Sequence, residues 1–117
     1  MGGSSMKRLN CTLTGSDQYS TDTPGGTPQA EGGTKGIEIF GKFVLRLRGT
    51  FVATVYLQRS DDDGTTWDDV TDSAGNPYVF NAPVIVDGEE VARDVIYRFG
   101  IKGGGWTSGT VQGSIQQ

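Results

Sequence analysis

The stretch Phe51-Val52-Ala53-Thr54-Val55-Tyr56-Leu57-Gln58-Arg59-Ser60-Asp61-Asp62-Asp63-Gly64-Thr65-Thr66-Trp67 decides the fold. Its opening residues alternate with the period of a β-strand. Phe51, Ala53, Val55 and Leu57 fall on one face, and Val52, Thr54, Tyr56 and Gln58 on the other. The charged, glycine-containing segment Asp61 to Thr65 then breaks the run. Asp62 is suited to accept hydrogen bonds from backbone N–H groups about two residues on, as in an Asx turn. Gly64 supplies a position with φ > 0 at no steric cost. Trp67 opens a return strand and lays its ring over the turn. The whole reads as a tight β-hairpin.

Ser60 to Trp67 matches the pattern S-x-D-x-G-x-T-W, the Asp-box, through Ser60, Asp62, Gly64, Thr66 and Trp67. These five are structural turn residues, and no chemistry is assigned to them. Asp61, Asp62 and Asp63 raise the question of Ca²⁺. With Gly64 as the sixth residue of an EF-hand loop, however, the first ligand would be Arg59. The triplet therefore reads as a solvated turn with one structural carboxylate, and no metal site or cofactor is assigned.

Outward from the hairpin, further strands follow. Leu9, Cys11 and Leu13 alternate with polar residues in a first strand over Met6 to Thr14. Ile37 to Arg48 is a second, with Phe43, Leu45 and Leu47 on one face. Gly49-Thr50 turns the chain into Phe51 to Arg59, and Trp67 to Thr71 forms a short return strand. Asp72 to Pro77 is a turn cluster. Tyr78 to Val86 is an apolar run that Pro83 demotes to an edge or marks as bulged. Asp87-Gly88 is a hairpin-type turn signal. Glu89 to Arg93 is too short for a helix. Val95, Tyr97, Phe99 and Ile101 share a face of the clearest late strand, and Val111, Gly113 and Ile115 share a face of the last. About seven short strands with Gly, Asp, Asn and Pro turns predict an all-β chain, an antiparallel β-sandwich of immunoglobulin-like or jelly-roll-like kind. A small barrel is the second choice.

Two segments stand outside this pattern. Residues 1–5 read as a flexible leader, leaving 6–117 as one domain. Gly15 to Gly36 carries six glycines and two prolines, with Tyr19 and Ala30 its only apolar residues. It buries too little surface to offset the entropy of ordering. It is expected to be a flexible loop, or an arm that orders on a neighbouring subunit.

Composition narrows the function. No apolar run is long enough to span a bilayer, and no membrane association is expected. A net charge of −4 argues against duplex nucleic acid, which needs a basic face. The chain has one cysteine and no histidine. Cys11 can form no internal disulfide and has no imidazole base, so it reads as a small buried hydrophobe. The absence of histidine also removes Ser-His-Asp chemistry and most zinc sites. Adjacent carboxylates (Asp68/Asp69, Glu89/Glu90) point to opposite faces of a strand and read as charged turn residues. The chain is therefore expected not to be an enzyme. Candidate partner contacts are Tyr19, Arg46, Arg48 and Trp106. Trp106 follows Gly103-Gly104-Gly105 and is placed at a loop tip.

One ordered set of segments reaches further. Gly49 to Ser60 is followed by Asp63-Gly64-Thr65-Thr66-Trp67, then Ile96-Tyr97-Arg98-Phe99, then Thr107-Ser108-Gly109-Thr110-Val111. This set resembles a group of small virion structural proteins of tailed bacteriophages. In them a strand ending in an LQRS-like segment leads into DGGTTW, and a YR strand precedes an SGT strand. The resemblance covers residues 36–117. It implies a β-sandwich that decorates or cements the capsid, or sits on the neck or a fibre. Its implied partners are the major capsid protein or other virion proteins. Symmetry at a capsid axis favours a homo-oligomer, a trimer first. The implied location is the virion surface after assembly in the host cytoplasm. A glycan-binding module or a neck or tail-fibre module, with Trp106 or Tyr78 stacking on sugar, is the alternative. Sialidases also carry the Asp-box, but one box in a chain this short builds no six-bladed propeller.

Overall fold

A computed structural model describes residues 8–20 and 37–117. The expected leader at 1–5 and the part of the expected arm from 21 to 36 lie outside the described residues. Ten strands follow in chain order: β1 (Arg8–Leu13), β2 (Gln18–Tyr19), β3 (Ile37–Arg48), β4 (Phe51–Ala53), β5 (Val55–Ser60), β6 (Asp68–Asp69), β7 (Val79–Phe80), β8 (Val84–Ile101), β9 (Trp106–Gly109) and β10 (Val111–Gln116). All of their pairings are antiparallel. The main sheet runs β1-β10-β3-β8-β5-β6, with β2 joined to β8 and β7 to β5. β4 and β9 form a separate ribbon.

The main sheet makes both layers of the sandwich. The C-terminal part of β3 (41–47) pairs with the start of β8 (84–90), next to β10 and β1. The N-terminal part of β3 (37–39) pairs with the end of β8 (95–97), next to β5. Between these halves the register jumps. Gly41 pairs with Glu90 and Ile39 with Val95, so residues 91–94 bulge out opposite Phe40. A bulge of this kind bends its strand. Asp94, at φ 62°, and Gly41, at φ 96°, absorb the bend.

The core lies between the layers, and strand alternation fills it. From one layer come Cys11, Leu13, Leu45, Leu47, Val111 and Ile115; from the other come Ile37, Val55, Leu57, Val95, Tyr97, Phe99 and Ile101. Phe99 packs on Gly113 across the gap. A Cβ at Gly113 would lie 2.5 Å from the Phe99 ring, so only glycine lets the layers close there. Phe43 meets Tyr97 in the same way, with ring centroids 4.7 Å apart.

Several boundaries differ from the sequence expectation. There are ten described strands rather than about seven, because turns and pairing partners divide the apolar runs. The Phe51 to Arg59 run breaks at Thr54, whose N–H bonds to the carbonyl of Gly105. Its first half therefore joins the β4–β9 ribbon and its second half the main sheet. Asp87-Gly88 is no turn: both lie inside β8, and Gly88 sits under the ring of Phe43. The return strand after the hairpin shortens to Asp68–Asp69, closed beyond by a Thr71–Pro77 bridge. The expected loop at Gly15 begins as structure. Gln18 pairs with Ile101, and Ser20 is fully buried. Its hydroxyl accepts the Phe99 N–H at 3.0 Å and its own N–H donates to the Phe99 carbonyl at 2.8 Å. These hydrogen bonds and the Tyr19 ring, which lies against Gly100 and Arg98, hold this stretch.

Candidate functional site

The Ser60 to Trp67 turn is built around one buried hydroxyl. Ser60 Oγ accepts the N–H of Gly64 at 2.9 Å and donates to Asp62 Oδ1 at 2.7 Å. Asp62 Oδ1 also accepts the N–H of Thr66 at 2.8 Å, four residues on rather than about two. Asp63 at φ 60° and Gly64 at φ 86° make the left-handed reversal. The hydrogen bond from Ser60, then that from the Thr66 backbone, holds the Asp62 carboxyl below its ordinary range. Every donor around this carboxylate belongs to the turn itself, and the geometry is structural.

Trp67 leads out of the turn to a cation. The Arg98 guanidinium lies 4.3 Å from the Trp67 ring centroid and 4.0 Å from that of Tyr19. It is thus held between two aromatic faces. Arg98 Nε donates to Gln58 Oε1 at 2.8 Å, and Gln58 Nε2 donates to Asp69 Oδ1 at 2.9 Å. Asp69 Oδ2 in turn accepts Lys102 Nζ at 2.7 Å, and Lys102 lies 4.2 Å from the Tyr56 ring centroid. Burial pushes the Asp69 carboxyl up, but the hydrogen bonds from Lys102 and Gln58 outweigh it and leave it lowered. The Asp69 bond raises Lys102 against its desolvation. This chain of contacts covers the outer face of β5, β6 and the end of β8. Trp67 therefore stacks on Arg98, where the sequence suggested a lid over the turn.

A second ionic cluster faces inward. Glu90, 6% exposed, accepts Arg59 Nε at 2.9 Å, the Tyr97 hydroxyl at 2.8 Å and the Ala92 N–H at 3.0 Å. Desolvation raises the Glu90 carboxyl, but these three donors together bring it below its ordinary value. Burial, followed by the Glu90 contact, pushes the Tyr97 phenol well up. Glu90 is thus a paired strand residue, not the charged turn residue that the sequence suggested. Its partner Arg59 lies far away in the chain, so adjacency gave no sign of it.

The candidate contact residues separate into three places. Tyr19 is half-buried and stacks on Arg98. Trp106 is not at a loop tip. It begins β9, packs partly on the core and donates from its indole N–H to the Gly109 carbonyl at 3.2 Å. The tip falls to Gly103 and Gly104, because the N–H of Gly105 returns to the Lys102 carbonyl. Arg46 and Arg48 alone come together, on the outer face of β3 in the opposite layer from Tyr19. They border a recess of about 280 Å³ shared with β1 and β10. Among the described residues, no three His, Cys, Asp or Glu side chains group to hold a metal ion. Among the described residues, no helix is long and apolar enough to cross a membrane.

Compared with protein-family models, curated proteins and solved structures, the chain has no significant match.

Proposed function

We propose that this protein is a non-enzymatic structural component of a tailed-bacteriophage virion, a decoration or cement protein that binds the assembled head. One observation carries the reading. The segments that give the sequence its resemblance to such proteins are neighbours in space. Leu57 to Ser60 pairs with Ile96 to Phe99, and Trp67 of the turn stacks on Arg98 of that strand. A resemblance scattered along the chain thus corresponds to one folded unit.

The physical properties suit the role. A small two-layer β body with interlocked polar outer faces is a rigid spacer. A ligand that binds only the assembled state stabilises it by mass action. The partner in this reading is the major capsid protein, and copies grouped about a capsid symmetry axis make a trimer natural.

The test is to image the particle and to mix purified protein with heads that lack it. The expected result is symmetric density on the head exterior and a higher temperature of head disruption. Density confined to the neck or tail, or no affinity for shells, overturns the reading. Saturable glycan-array binding lost in Tyr78→Ala would favour the alternative, since Tyr78 is the more exposed of the two rings assigned to sugar stacking.

A further inference from the structure

The outer face of β1, β10 and β3 carries a charge pattern unlike the rest of the chain. Asn10, Ser114 and Arg46 lie side by side in one row, and Thr12, Gln112 and Arg48 in the next. These six residues border the same recess, and none of its lining is acidic. This occurs in a chain with 14 acidic and 10 basic residues. Acidic groups lie outside the recess: Asp61 to Asp63 in the hairpin turn, Asp69 with Lys102, Glu90 with Arg59, and the exposed Asp87 and Glu89 on the adjoining β8, opposite Val44 and Lys42 rather than the arginines. Among the described residues, neither Arg46 nor Arg48 is paired with a carboxylate.

Arg46 carries a second sign. Its Nε is buried, and no acceptor among the described residues reaches it. A buried donor without a partner is destabilising, and one on a cation is more so. Nε is closed off by the protein itself, so the terminal amino groups of the guanidinium are the donors left to meet a carboxylate end-on with two parallel hydrogen bonds. The neighbouring amides and hydroxyls offer further donors for the remaining oxygen lone pairs.

The spacing narrows the ligand. Arg46 and Arg48 are two residues apart on one strand and project from one face, about 7 Å from each other. An extended chain places its own alternate side chains at the same interval. We propose that this face docks an extended acidic segment of a partner protein, with carboxylates at alternate positions pairing with Arg46 and Arg48. Nucleic acid fits less well, because two arginines on a chain of net negative charge give few phosphate contacts. The inference deepens the decoration reading and rests on it only for the partner's identity. The chemistry of the face is tested without any capsid.

The experiment follows the Arg46 Nε–Hε signal of the ¹⁵N-labelled protein by NMR. Two peptides of equal charge and composition are titrated, Gly-Ser-Glu-Thr-Glu-Ser-Gly and Gly-Ser-Thr-Glu-Glu-Ser-Gly. Inorganic phosphate and a short DNA duplex are titrated at matched ionic strength. The expected result is a saturable shift that is strongest with the alternating peptide. Arg46→Gln should weaken that binding by about tenfold or more, as expected for loss of a bidentate ionic contact. No saturable shift overturns the proposal. Equal affinity for both peptides, or stronger binding of phosphate or DNA, overturns it as well. Because the wild-type titration decides the matter, a variant that folds poorly does not obscure it. Failure here leaves head imaging untouched, and absence from the head leaves this binding intact.

Discussion

The guanidinium of Arg98 is clamped between Trp67 and Tyr19, at 4.3 Å and 4.0 Å from their ring centroids. The clamp joins the hairpin turn, β2 and β8, which lie far apart in the chain. The tryptophan that ends the box thereby acts on β8 rather than on the turn itself.

Trp67→Ala should destabilise the fold by about 1–3 kcal/mol through lost cation–π contact and buried ring area. Urea denaturation measures it. A double-mutant cycle with Arg98→Met should give a coupling of about 0.5–1 kcal/mol or more. Additive effects would show that the stacking carries no energy.

Ser60→Ala removes the hydroxyl on which the turn is built and leaves the Gly64 N–H without its acceptor. The expected loss is about 1–3 kcal/mol. Asp61→Ala, on the exposed side of the same turn, should change stability by less than about 0.5 kcal/mol. The contrast between these neighbours is the readout in thermal melts.

Glu90→Gln breaks the buried pair with Arg59 while keeping the shape of the side chain. The expected loss is about 3 kcal/mol at neutral pH. The pH dependence has a definite sign. Folding lowers the carboxyls of Glu90 and Asp69, so the unfolded chain holds their protons more tightly. Their contribution is fully present above the unfolded carboxyl range of about 4. It disappears as pH falls below that range through the folded values. Urea midpoints from pH 7 to pH 3 should fall steeply in the wild type and less steeply in Glu90→Gln.

Gly113→Ala places a methyl group 2.5 Å from the Phe99 ring. The layers must part or the ring must leave its rotamer, at about 1–3 kcal/mol. Gly113→Ala combined with Phe99→Leu should recover part of the loss. A fully additive double variant would mean that the two positions do not compete for space.

Alternation made much of the fold legible in the sequence. Leu45 and Leu47, Val55 and Leu57, Val95, Tyr97, Phe99 and Ile101, and Val111 and Ile115 all point inward as their spacing predicts. What alternation does not encode is which strand pairs with which. Thr54 ends one pairing and starts another through a single bond to Gly105, and nothing local to Thr54 signals it. Asp87-Gly88 has the composition of a turn, yet pairing with β3 extends the strand through it. At the candidate site, the serine, aspartate and glycine of the hairpin could be placed from local turn chemistry. Arg98, Gln58, Asp69 and Lys102 could not, because their contacts join positions 11 to 40 residues apart.

The two strands that run through both layers have a mechanical consequence. A sandwich of separate sheets can shear or open along the plane between them, since only side chains cross it. Here β3 and β8 carry covalent backbone from one layer to the other, past the bulge at 91–94. Tension applied to either outer face therefore passes along peptide bonds and strand ladders before it reaches the side-chain core. Such a body should resist load as one piece and yield all at once, with no half-open form on the way.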